Sequence, residues 1–313
     1  MIFLSKKEIL KVLENIDIFN CIEEGFIAFS KGEALIPPVA GMEFASPPGE
    51  VHIKYGAINN HSEYVIKIAS GFYENPKIGM PSSNGVMMVF SKVTGELLSV
   101  LHDEGYLTDI RTAIAGAISA RLLAPKHIKK IGIIGTGTQA RLQLSYLKYI
   151  TKCRDVVIYG RRKDACHSFH KDMAAEGFNI NIAHSISELA VSCNLIVTTT
   201  TSRDALLMAK DIQLGTHITA VGADTPGKQE LDPKLFAKAD RVVADSIGQC
   251  VERGECAIGI HKGYLHKQQI VELGELLEKN NTSREETDIT IADLTGVAVQ
   301  DIQIATAVYH NSL

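Results

Sequence analysis

The chain has 313 residues, of which 45% are hydrophobic and 22% are charged, and its formal net charge is −4. This length is large for a single hydrophobic core and favours two domains, while the composition is that of an ordinary globular protein. Because the net charge is negative, the composition argues against a nucleic-acid-binding protein.

The cysteines and the first residues bear on the cellular compartment. The six cysteines form no CxxC pair and have no metal-ligand spacing, so we expect free thiols in a reducing compartment and no metal. The opening MIFLSKKEIL places its lysines after a short apolar run, which is the reverse of a signal peptide. Uninterrupted apolar stretches stay below the roughly 20 residues that a bilayer span needs. We therefore expect a cytoplasmic protein that does not cross a membrane.

The first part of the chain has the pattern of an α+β domain. Helices are predicted over KKEILKVLENIDIFNCIEEGFIAFSKGEA. Strands joined by turns are predicted for GEVHIKYGAI, YVIKIASGF, GVMMVFS and ELLSVLHD, with a hairpin turn at residues 94–96. We expect these strands to form an antiparallel sheet. The small-residue-rich stretch TDIRTAIAGAISARLLAP then predicts a helix that is ended by Pro125.

From Ile128 onward, short apolar runs alternate with helical patterns. The runs are IKKIGIIG, RDVVIYG, FNINIAH, NLIVTTTT, HITAVGA and RVVADS. This alternation favours an α/β domain, in which helices cover both faces of a parallel sheet. The final helical stretch, GVAVQDIQIATAVYH, is expected to pack back onto the first region. The predicted domains are residues 1–120 completed by residues 300–313, and residues 121–299.

The stretch IGIIGTGTQA has the context of a dinucleotide-binding loop, because it joins an apolar strand directly to a helix. Gly135 permits a tight turn, Gly137 lets the backbone approach a pyrophosphate, and Ala140 lets the helix pack closely against the strand. The N-terminus of that helix offers N–H groups and a partial positive charge to phosphates. The alternative is a plain turn between a strand and a helix. The candidate cofactor-binding residues are Gly135, Thr136, Gly137, Thr138, Gln139 and Ala140.

The end of the second strand of this region bears on which dinucleotide binds. An NAD site usually has an acidic residue there, about 20 residues after the loop, which binds the ribose 2′-hydroxyl. The sequence YGRRKD has Arg161 and Arg162 instead, and guanidinium groups suit a 2′-phosphate. We therefore predict NADP(H) as the preferred cofactor and NAD(H) as the other candidate. The alternative is that both arginines lie on a solvated turn.

Motifs spread along the chain carry a resemblance to a known family. They are LTDIRTAIAGAISARLLAP, IGIIGTGTQARLQL, AVGADTPGKQELDP and DLTGVAVQDIQIA, in this order. Together they resemble the ornithine cyclodeaminase/mu-crystallin family over most of the chain. The resemblance implies a Rossmann domain paired with an α+β domain that binds substrate and forms a homodimer. It also implies hydride transfer at the α-carbon of a small amino or imino acid.

The resemblance also assigns roles to three residues. Lys67 and Arg111 match the family residues that hold the substrate carboxylate, and Asp224 matches the acid near the reacting nitrogen. The chemistry agrees, because a carboxylate needs a positive clamp, and an aspartate stabilises a cationic imine and can carry a proton. For each residue taken alone, the alternative is a surface position, a local pair or a turn.

The sequence departs from the family where the substrate side chain is expected. Val39 stands after PP, where the family often has an arginine. Where cyclodeaminases place an acid and a methionine, the stretch EVHIKYGAI has His52 and Lys54, which strand alternation places on one face. A cationic face suits a second carboxylate or an uncharged side chain better than the terminal amine of ornithine. The alternative for Lys54 is a solvated strand lysine.

These observations leave three functions to compare. The first is a reductase or dehydrogenase that interconverts an imino or ketimine acid and its amino acid with NADPH or NADH. The second is a cyclodeaminase, which recycles bound NAD and releases ammonia. The third is a binding protein similar to the mu-crystallins, and the joint presence of Lys67, Arg111 and Asp224 counts against it. We predict the first.

Overall fold

The computed structural model describes residues 1–279 and 283–313. These residues form two compact units, one made of Met1–Arg111 with Val297–Leu313 and the other of Thr112–Gly296. Among the helices of the described residues, none has both the length and the apolar character needed to cross a bilayer.

Both units contain strands and helices. In chain order, the strands are β1 Ile2–Ser5, β2 Ala34–Leu35, β3 Ala40–Ala45, β4 Pro48–Ile58, β5 Glu63–Gly71, β6 Ser83–Ser91, β7 Leu97–His102, β8 Ile131–Ile134, β9 Asp155–Tyr159, β10 Asn179–Ile182, β11 Leu195–Thr198, β12 His217–Ala220, β13 Arg241–Ala244, β14 Ile270–Glu272 and β15 Thr290–Asp293. The helices are α1 Lys6–Leu13, α2 Ile18–Ser30, α3 Tyr106–Leu123, α4 Thr138–Leu147, α5 Lys163–Ala175, α6 Ile186–Ser192, α7 Ile247–Arg253, α8 Glu255–His261, α9 Leu273–Lys279 and α10 Ala298–His310.

The first unit is built on a sheet with the strand order β1-β7-β6-β5-β4-β2, in which β3 also pairs with β4. The pairings are antiparallel except the one between β1 and β7. Helix α10 packs against β4, β5 and β6 and against α2. The mixed α+β character predicted for this region is confirmed.

Strand β5 explains how charged groups enter the interior of this unit. Val65 and Lys67 are buried, whereas Ile66 between them is partly exposed. The register pairs Lys67 with Lys54 of β4 on one side and with Met87 of β6 on the other. Because successive side chains of a strand point to opposite faces, the alternation that buries Val65 also buries Lys67.

The second unit is built on a parallel sheet. Over the described residues, the sheet has eight strands in the order β10-β9-β8-β11-β12-β15-β13-β14. The central strands β8, β11 and β12 are buried at every position, as expected when helices cover both faces. After β8 the chain adds β9 and β10 on one side of that strand, and β11 then pairs with β8 on its other side. Open α/β sheets bind ligands where the strand order changes in this way, at the carboxyl ends of the strands. The predicted Rossmann architecture is confirmed.

Helix α3 spans the division between the units, which falls between Arg111 and Thr112. It is the helix predicted from the small-residue-rich stretch, and it ends at Leu123, shortly before Pro125. Strands β1, β2, β3, β14 and β15 lie in stretches for which no strand was predicted. Every residue of β3 is exposed, so its sequence lacks the apolar alternation that identifies a half-buried strand.

Candidate active-site residues

The glycine loop has the geometry of a dinucleotide cradle. Gly135 follows β8 with φ = +122°, and a side chain at this position would collide with Thr199. Around the place that a Cβ of Gly137 would occupy, no heavy atom of the described residues lies within 4 Å. Ala140 is fully buried at the base of α4. The loop therefore turns sharply, leaves room for a ligand at Gly137 and packs its helix tightly, as a pyrophosphate site requires.

The electrostatics at the start of α4 also favour a phosphate. Within α4, all of which is described, the first turn carries no acidic side chain. The N–H groups of Thr138 and Gln139 lie in that turn, where the helix dipole adds a partial positive charge. Together with the room at Gly137, this arrangement fits the pyrophosphate of a nicotinamide dinucleotide.

Arg141, a residue that sequence reasoning missed, is hydrogen-bonded to the glycine loop. Its Nη1 donates to the carbonyl oxygen of Thr136 at 2.5 Å. Its Nε and Nη2 donate to Asp172 of α5 at 2.9 and 2.6 Å, and the guanidinium lies over the ring of Phe169. The position directly follows the glycine motif, which was the available signal.

The end of β9 presents the two predicted arginines to solvent. Arg161 and Arg162 are both exposed, and the Nε of Arg162 lies 3.8 Å from Asp164 Oδ1. Gly160 packs closely against Thr136 of the glycine loop, since a Cβ there would lie 2.6 Å from Thr136 Cγ2. The arginines thus follow a residue that touches the glycine loop.

Asp224 follows β12, at the same carboxyl edge of the sheet as the glycine loop. It accepts a hydrogen bond from the Nζ of Lys228 at 2.8 Å. Gly227, with φ = +84°, lets the chain turn back so that this pair can form. The side chain of Asp224 is 40% exposed, whereas Lys228 is almost buried. An accessible carboxylate held by a buried ammonium is suited to proton transfer at a bound substrate.

Lys67 and Arg111 meet at one buried carboxylate of the first unit, Asp301 of α10. The Nε of Arg111 donates to Asp301 Oδ1 at 3.0 Å, and the Nζ of Lys67 lies 3.7 Å from Asp301 Oδ2. Gln300 completes the arrangement, since its Oε1 accepts from Arg111 Nη1 at 3.1 Å and its Nε2 donates to the Arg111 carbonyl at 3.1 Å. Sequence reasoning missed Gln300 and Asp301, although both belong to the motif DLTGVAVQDIQIA.

Burial and neighbouring opposite charges shift the pKa values of Lys67 and Asp301 in opposite directions. Burial lowers the pKa of Lys67, while the negative charges of Asp301 and Asp103 oppose that change. Burial would raise the pKa of Asp301, but the positive charges of Arg111, Lys67 and Lys54 outweigh it and hold that pKa below its usual range. The cluster therefore combines three cations with the carboxyl groups of Asp301 and Asp103.

The face of β4 that carries His52 and Lys54 adjoins this cluster at Lys54. Lys54 is buried and is the register partner of Lys67. His52 lies on the same face two positions earlier, opposite Ala69, and is partly exposed. Its Nε2 lies 3.5 Å from Glu50 Oε2. Lys54 thus belongs with the carboxylate cluster, while His52 lies further along the strand beside Glu50.

Within the described residues, no group of three or more His, Cys, Asp or Glu side chains could hold a metal ion. The structure brings Lys54, Lys67 and Arg111 together in the first unit. In the second unit, it places the glycine loop, Asp224 and the end of β9 along one edge of the sheet.

Comparison with known proteins identifies a family and its relatives. The sequence model of the ornithine cyclodeaminase/mu-crystallin family matches residues 1–313. An uncharacterised cyclodeaminase, y4tK, of Sinorhizobium fredii is 37% identical over 95% of this chain and 91% of its own length. The iminosuccinate reductase of Paracoccus denitrificans is 31% identical over 98% of this chain and 95% of its own length.

Solved structures show the same fold over the whole chain. An archaeal alanine dehydrogenase dimer with bound NAD is 32% identical, with a TM-score of 0.89 over 100% of this chain and 96% of its own. The Δ1-pyrroline-2-carboxylate reductase of Thermococcus litoralis, in complex with NADH and L-proline, is 26% identical, with a TM-score of 0.92 over 100% and 97%.

Proposed function

The chain belongs to the ornithine cyclodeaminase/mu-crystallin family, and on that premise we propose that it is a nicotinamide-dependent imino-acid reductase or amino-acid dehydrogenase. One observation carries the proposal: the buried cluster in which Lys54, Lys67 and Arg111 face Asp301 and Asp103. Lys67 and Arg111 are buried side by side at one carboxylate, where the positive charge of Lys54 also acts. A guanidinium and an ammonium held together in this way are suited to bind a substrate α-carboxylate.

The residues then divide the chemistry of imine reduction between them. Lys67 and Arg111 bind and orient the α-carboxylate, with the planar guanidinium offering two parallel hydrogen bonds. The dinucleotide, when bound, supplies a hydride to the α-carbon. Asp224 stabilises the cationic imine and handles the proton at its nitrogen. Replacing Asp224 with Asn should abolish turnover while dinucleotide binding persists, and an Asn variant with wild-type rates would remove Asp224 from the mechanism.

The relatives support a redox reaction at an α-carbon and leave a second candidate. The iminosuccinate reductase and the two dehydrogenase or reductase structures act on small amino or imino acids, by their names. The relative of 37% identity is named a cyclodeaminase, which favours an ammonia-releasing lyase as the second candidate. Lys54 counts against that candidate, because a buried ammonium repels the terminal amine of a diamino acid.

The deciding experiment measures two products at once. Purified protein is offered cyclic imines, 2-oxo acids with ammonium or amines, and diamino acids, while cofactor absorbance and free ammonia are followed. A reductase or dehydrogenase changes the absorbance in proportion to product. A cyclodeaminase releases ammonia from a diamino acid with no net change in absorbance. Release of ammonia alone would overturn the ranking in favour of the lyase.

The cofactor that we propose is NADP(H), with NAD(H) as the other candidate. Support comes from exposed Arg161 and Arg162 at the end of β9, where an NAD site usually has an acid. Against it, the related structures hold NAD and NADH. A charge-assisted hydrogen bond contributes about 1.5–3 kcal/mol, so one engaged arginine should favour NADPH by roughly tenfold or more. Equal affinities for NADPH and NADH, unchanged in Arg161→Ala and Arg162→Ala, would refute this preference.

A homodimer formed through the first unit is also part of the proposal. This unit exposes large apolar side chains on β3 and in the segment after β5, including Met42, Phe44, Ile78 and Met80. Large apolar side chains that a unit leaves exposed favour an interface over part of its surface. Ile78→Glu should shift sedimentation toward monomer, whereas Leu214→Glu, an equally exposed site in the second unit, should not. A dimer that survives the Ile78 change with unaltered affinity would exclude that segment from the interface.

A further inference from the structure

Glu230 lies where the ends of two neighbouring strands of the second unit come together. Its side chain is fully buried. Its Oε2 accepts hydrogen bonds from the Thr198 hydroxyl at 2.7 Å and from the Gly222 N–H at 2.8 Å. Its Oε1 accepts from the Thr200 N–H at 2.5 Å. One carboxylate therefore joins the end of β11 to the segment that follows β12 and leads to Asp224.

The fit around this carboxylate is tight. A Cβ on Gly222 would collide with the carbonyl oxygen of Thr200 and would lie 2.6 Å from Glu230 Oε2. The residue at position 222 must therefore be glycine for the two strand ends to approach each other this closely.

The segment Thr198–Thr200 is held from its other side by the glycine loop. The N–H of Thr199 donates to the Ile134 carbonyl at 2.9 Å, and its hydroxyl donates to the same oxygen at 3.2 Å. A side chain on Gly135 would collide with Thr199. The segment thus connects the dinucleotide loop, through Glu230, with the turn that carries Asp224.

The sheet order indicates which part of a dinucleotide lies above this junction. In this fold, the adenosine ribose lies at the end of the strand after the loop and the pyrophosphate lies at the loop itself, so the ligand crosses the crevice there. These positions correspond to β9 and to the start of α4. Because β11 adjoins β8 on the side opposite β9, the nicotinamide end of a bound dinucleotide would extend over β11 and β12.

We propose that Glu230 is a positioning residue that fixes the strand ends beneath the nicotinamide end of the dinucleotide. The inference rests on the proposed function, since it requires that this unit binds a nicotinamide dinucleotide. Glu230 acts through Thr198, Thr200 and Gly222, and it sets the place of the backbone on which the nicotinamide end lies and from which Asp224 projects.

The variant Glu230→Gln probes the carboxylate with little change of shape. The Thr198 hydroxyl and the backbone N–H groups of Thr200 and Gly222 are placed as donors to Glu230. An amide has one oxygen, so either orientation of the new side chain sets an NH₂ group against the N–H of Thr200 or of Gly222. One buried N–H then loses its acceptor and the junction shifts.

Asp232→Asn is the matched control. Asp232 is also nearly buried, and its carboxylate likewise accepts two backbone N–H bonds, from Ala209 at 3.2 Å and Lys234 at 3.1 Å. The substitution makes the same chemical change but acts on the segments around Ala209 and Lys234. A general loss of stability should lower the Tm of both variants, so the comparison separates positioning from folding.

The experiment compares pairs of ligands that differ only in the presence of the nicotinamide ring. Titrations measure the Kd of NADPH against that of 2′-phospho-ADP-ribose, and the Kd of NADH against that of ADP-ribose. Glu230→Gln should raise the Kd values of NADPH and NADH by about tenfold, which is the effect expected from one buried N–H without an acceptor. It should leave the Kd values of 2′-phospho-ADP-ribose and ADP-ribose within about twofold of those of the wild-type protein. Asp232→Asn should change neither class of ligand.

The inference would be overturned if Glu230→Gln raised the Kd values of both ligand classes equally. It would also be overturned if this variant changed the Kd of neither class. If Glu230→Gln does not fold, Thr198→Val takes its place, because it removes one donor to Glu230 at nearly constant volume. Thr198→Val should weaken dinucleotide binding alone by about threefold, and unchanged binding would overturn the inference. Wild-type protein that binds dinucleotide but turns over no imino acid would refute the proposed function and leave this binding comparison valid.

Discussion

Replacing Asp301 with Asn should destabilise the protein strongly. The carboxylate is 1% exposed, accepts from Arg111 Nε at 3.0 Å and lies 3.7 Å from Lys67 Nζ. The charge of Lys54 also acts on it. Asn keeps nearly the same volume but removes the negative charge, so three buried cations lose this counter-charge.

The size of the effect follows from burial. Removing one partner of a buried ion pair typically costs about 3–5 kcal/mol. Because 1 kcal/mol shifts the Tm of a domain of this size by roughly 2–4 °C, the Tm should fall by about 6–20 °C. Glu176→Gln is the control, because Glu176 pairs with Lys148 at 2.7 Å but is 42% exposed. An exposed pair contributes only about 0–1 kcal/mol.

Urea unfolding and thermal melting at neutral pH measure both variants. The positive charges hold the pKa of Asp301 below its ordinary value despite burial, so its contribution to stability is present at neutral pH. That contribution is lost as the pH falls through the lowered pKa, and the difference between wild type and Asp301→Asn should shrink in strong acid. A loss no larger than that of Glu176→Gln at neutral pH would refute the role of Asp301 as counter-charge.

Further variants test the second unit. Arg141→Ala should weaken dinucleotide binding by about tenfold in a titration, because the Thr136 carbonyl loses the guanidinium that fixes the loop, and Arg141→Lys should restore only part of it. Lys228→Met should lower kcat/KM by about tenfold at unchanged dinucleotide Kd, because Asp224 loses the ammonium 2.8 Å away, and Lys228→Arg should retain most of the rate. Burial raises the pKa of Asp293 from its ordinary 3.8 to about 7. Because the pKa of Asp293 is higher in the folded than in the unfolded state, this group stabilises the fold at a pH below its unfolded-state pKa. That contribution to stability is lost as the pH rises through the folded-state pKa of about 7. Asp293→Asn should therefore show a weaker decline of Tm than wild type between pH 5 and 8. For each of these variants, behaviour identical to wild type would contradict the assigned role.

Periodicity predicted the main layers of the fold because most elements bury a regular set of positions. Strands β5 and β10 alternate and β8, β9, β11, β12 and β13 are apolar runs, so all of these were identifiable. Strand β3 escaped prediction because all its residues are exposed, and β14 because it is a short edge strand. Edge pairing depends on a neighbouring strand rather than on the pattern of the strand itself.

Residues of the candidate site that match a family position could be predicted from the sequence. Partners that are distant from them along the chain could not. Arg111 and Lys67 matched the family, but their shared partner Asp301 lies on the last helix. Helix α10 is buried on nearly every side, so it has no polar face against which Asp301 would stand out. Glu230 likewise has the pattern of an ordinary charge beside a turn, and only the structure shows that its carboxylate joins two strand ends.

The central claim is that Lys67 binds the substrate carboxylate of a nicotinamide-dependent enzyme. The measurement that tests it most directly compares Lys67→Met with Lys92→Met on the imino or amino acid that wild-type protein turns over. Lys92 is a fitting control because it lies in the same unit but is exposed and donates to the carbonyl oxygens of Ile58 and Asn59.

Loss of a charge-assisted hydrogen bond of about 1.5–3 kcal/mol predicts that Lys67→Met lowers kcat/KM by roughly 10- to 150-fold, with dinucleotide Kd unchanged. Lys92→Met should keep wild-type kcat/KM. A Lys67→Met enzyme with the same kcat/KM as Lys92→Met would contradict the claim.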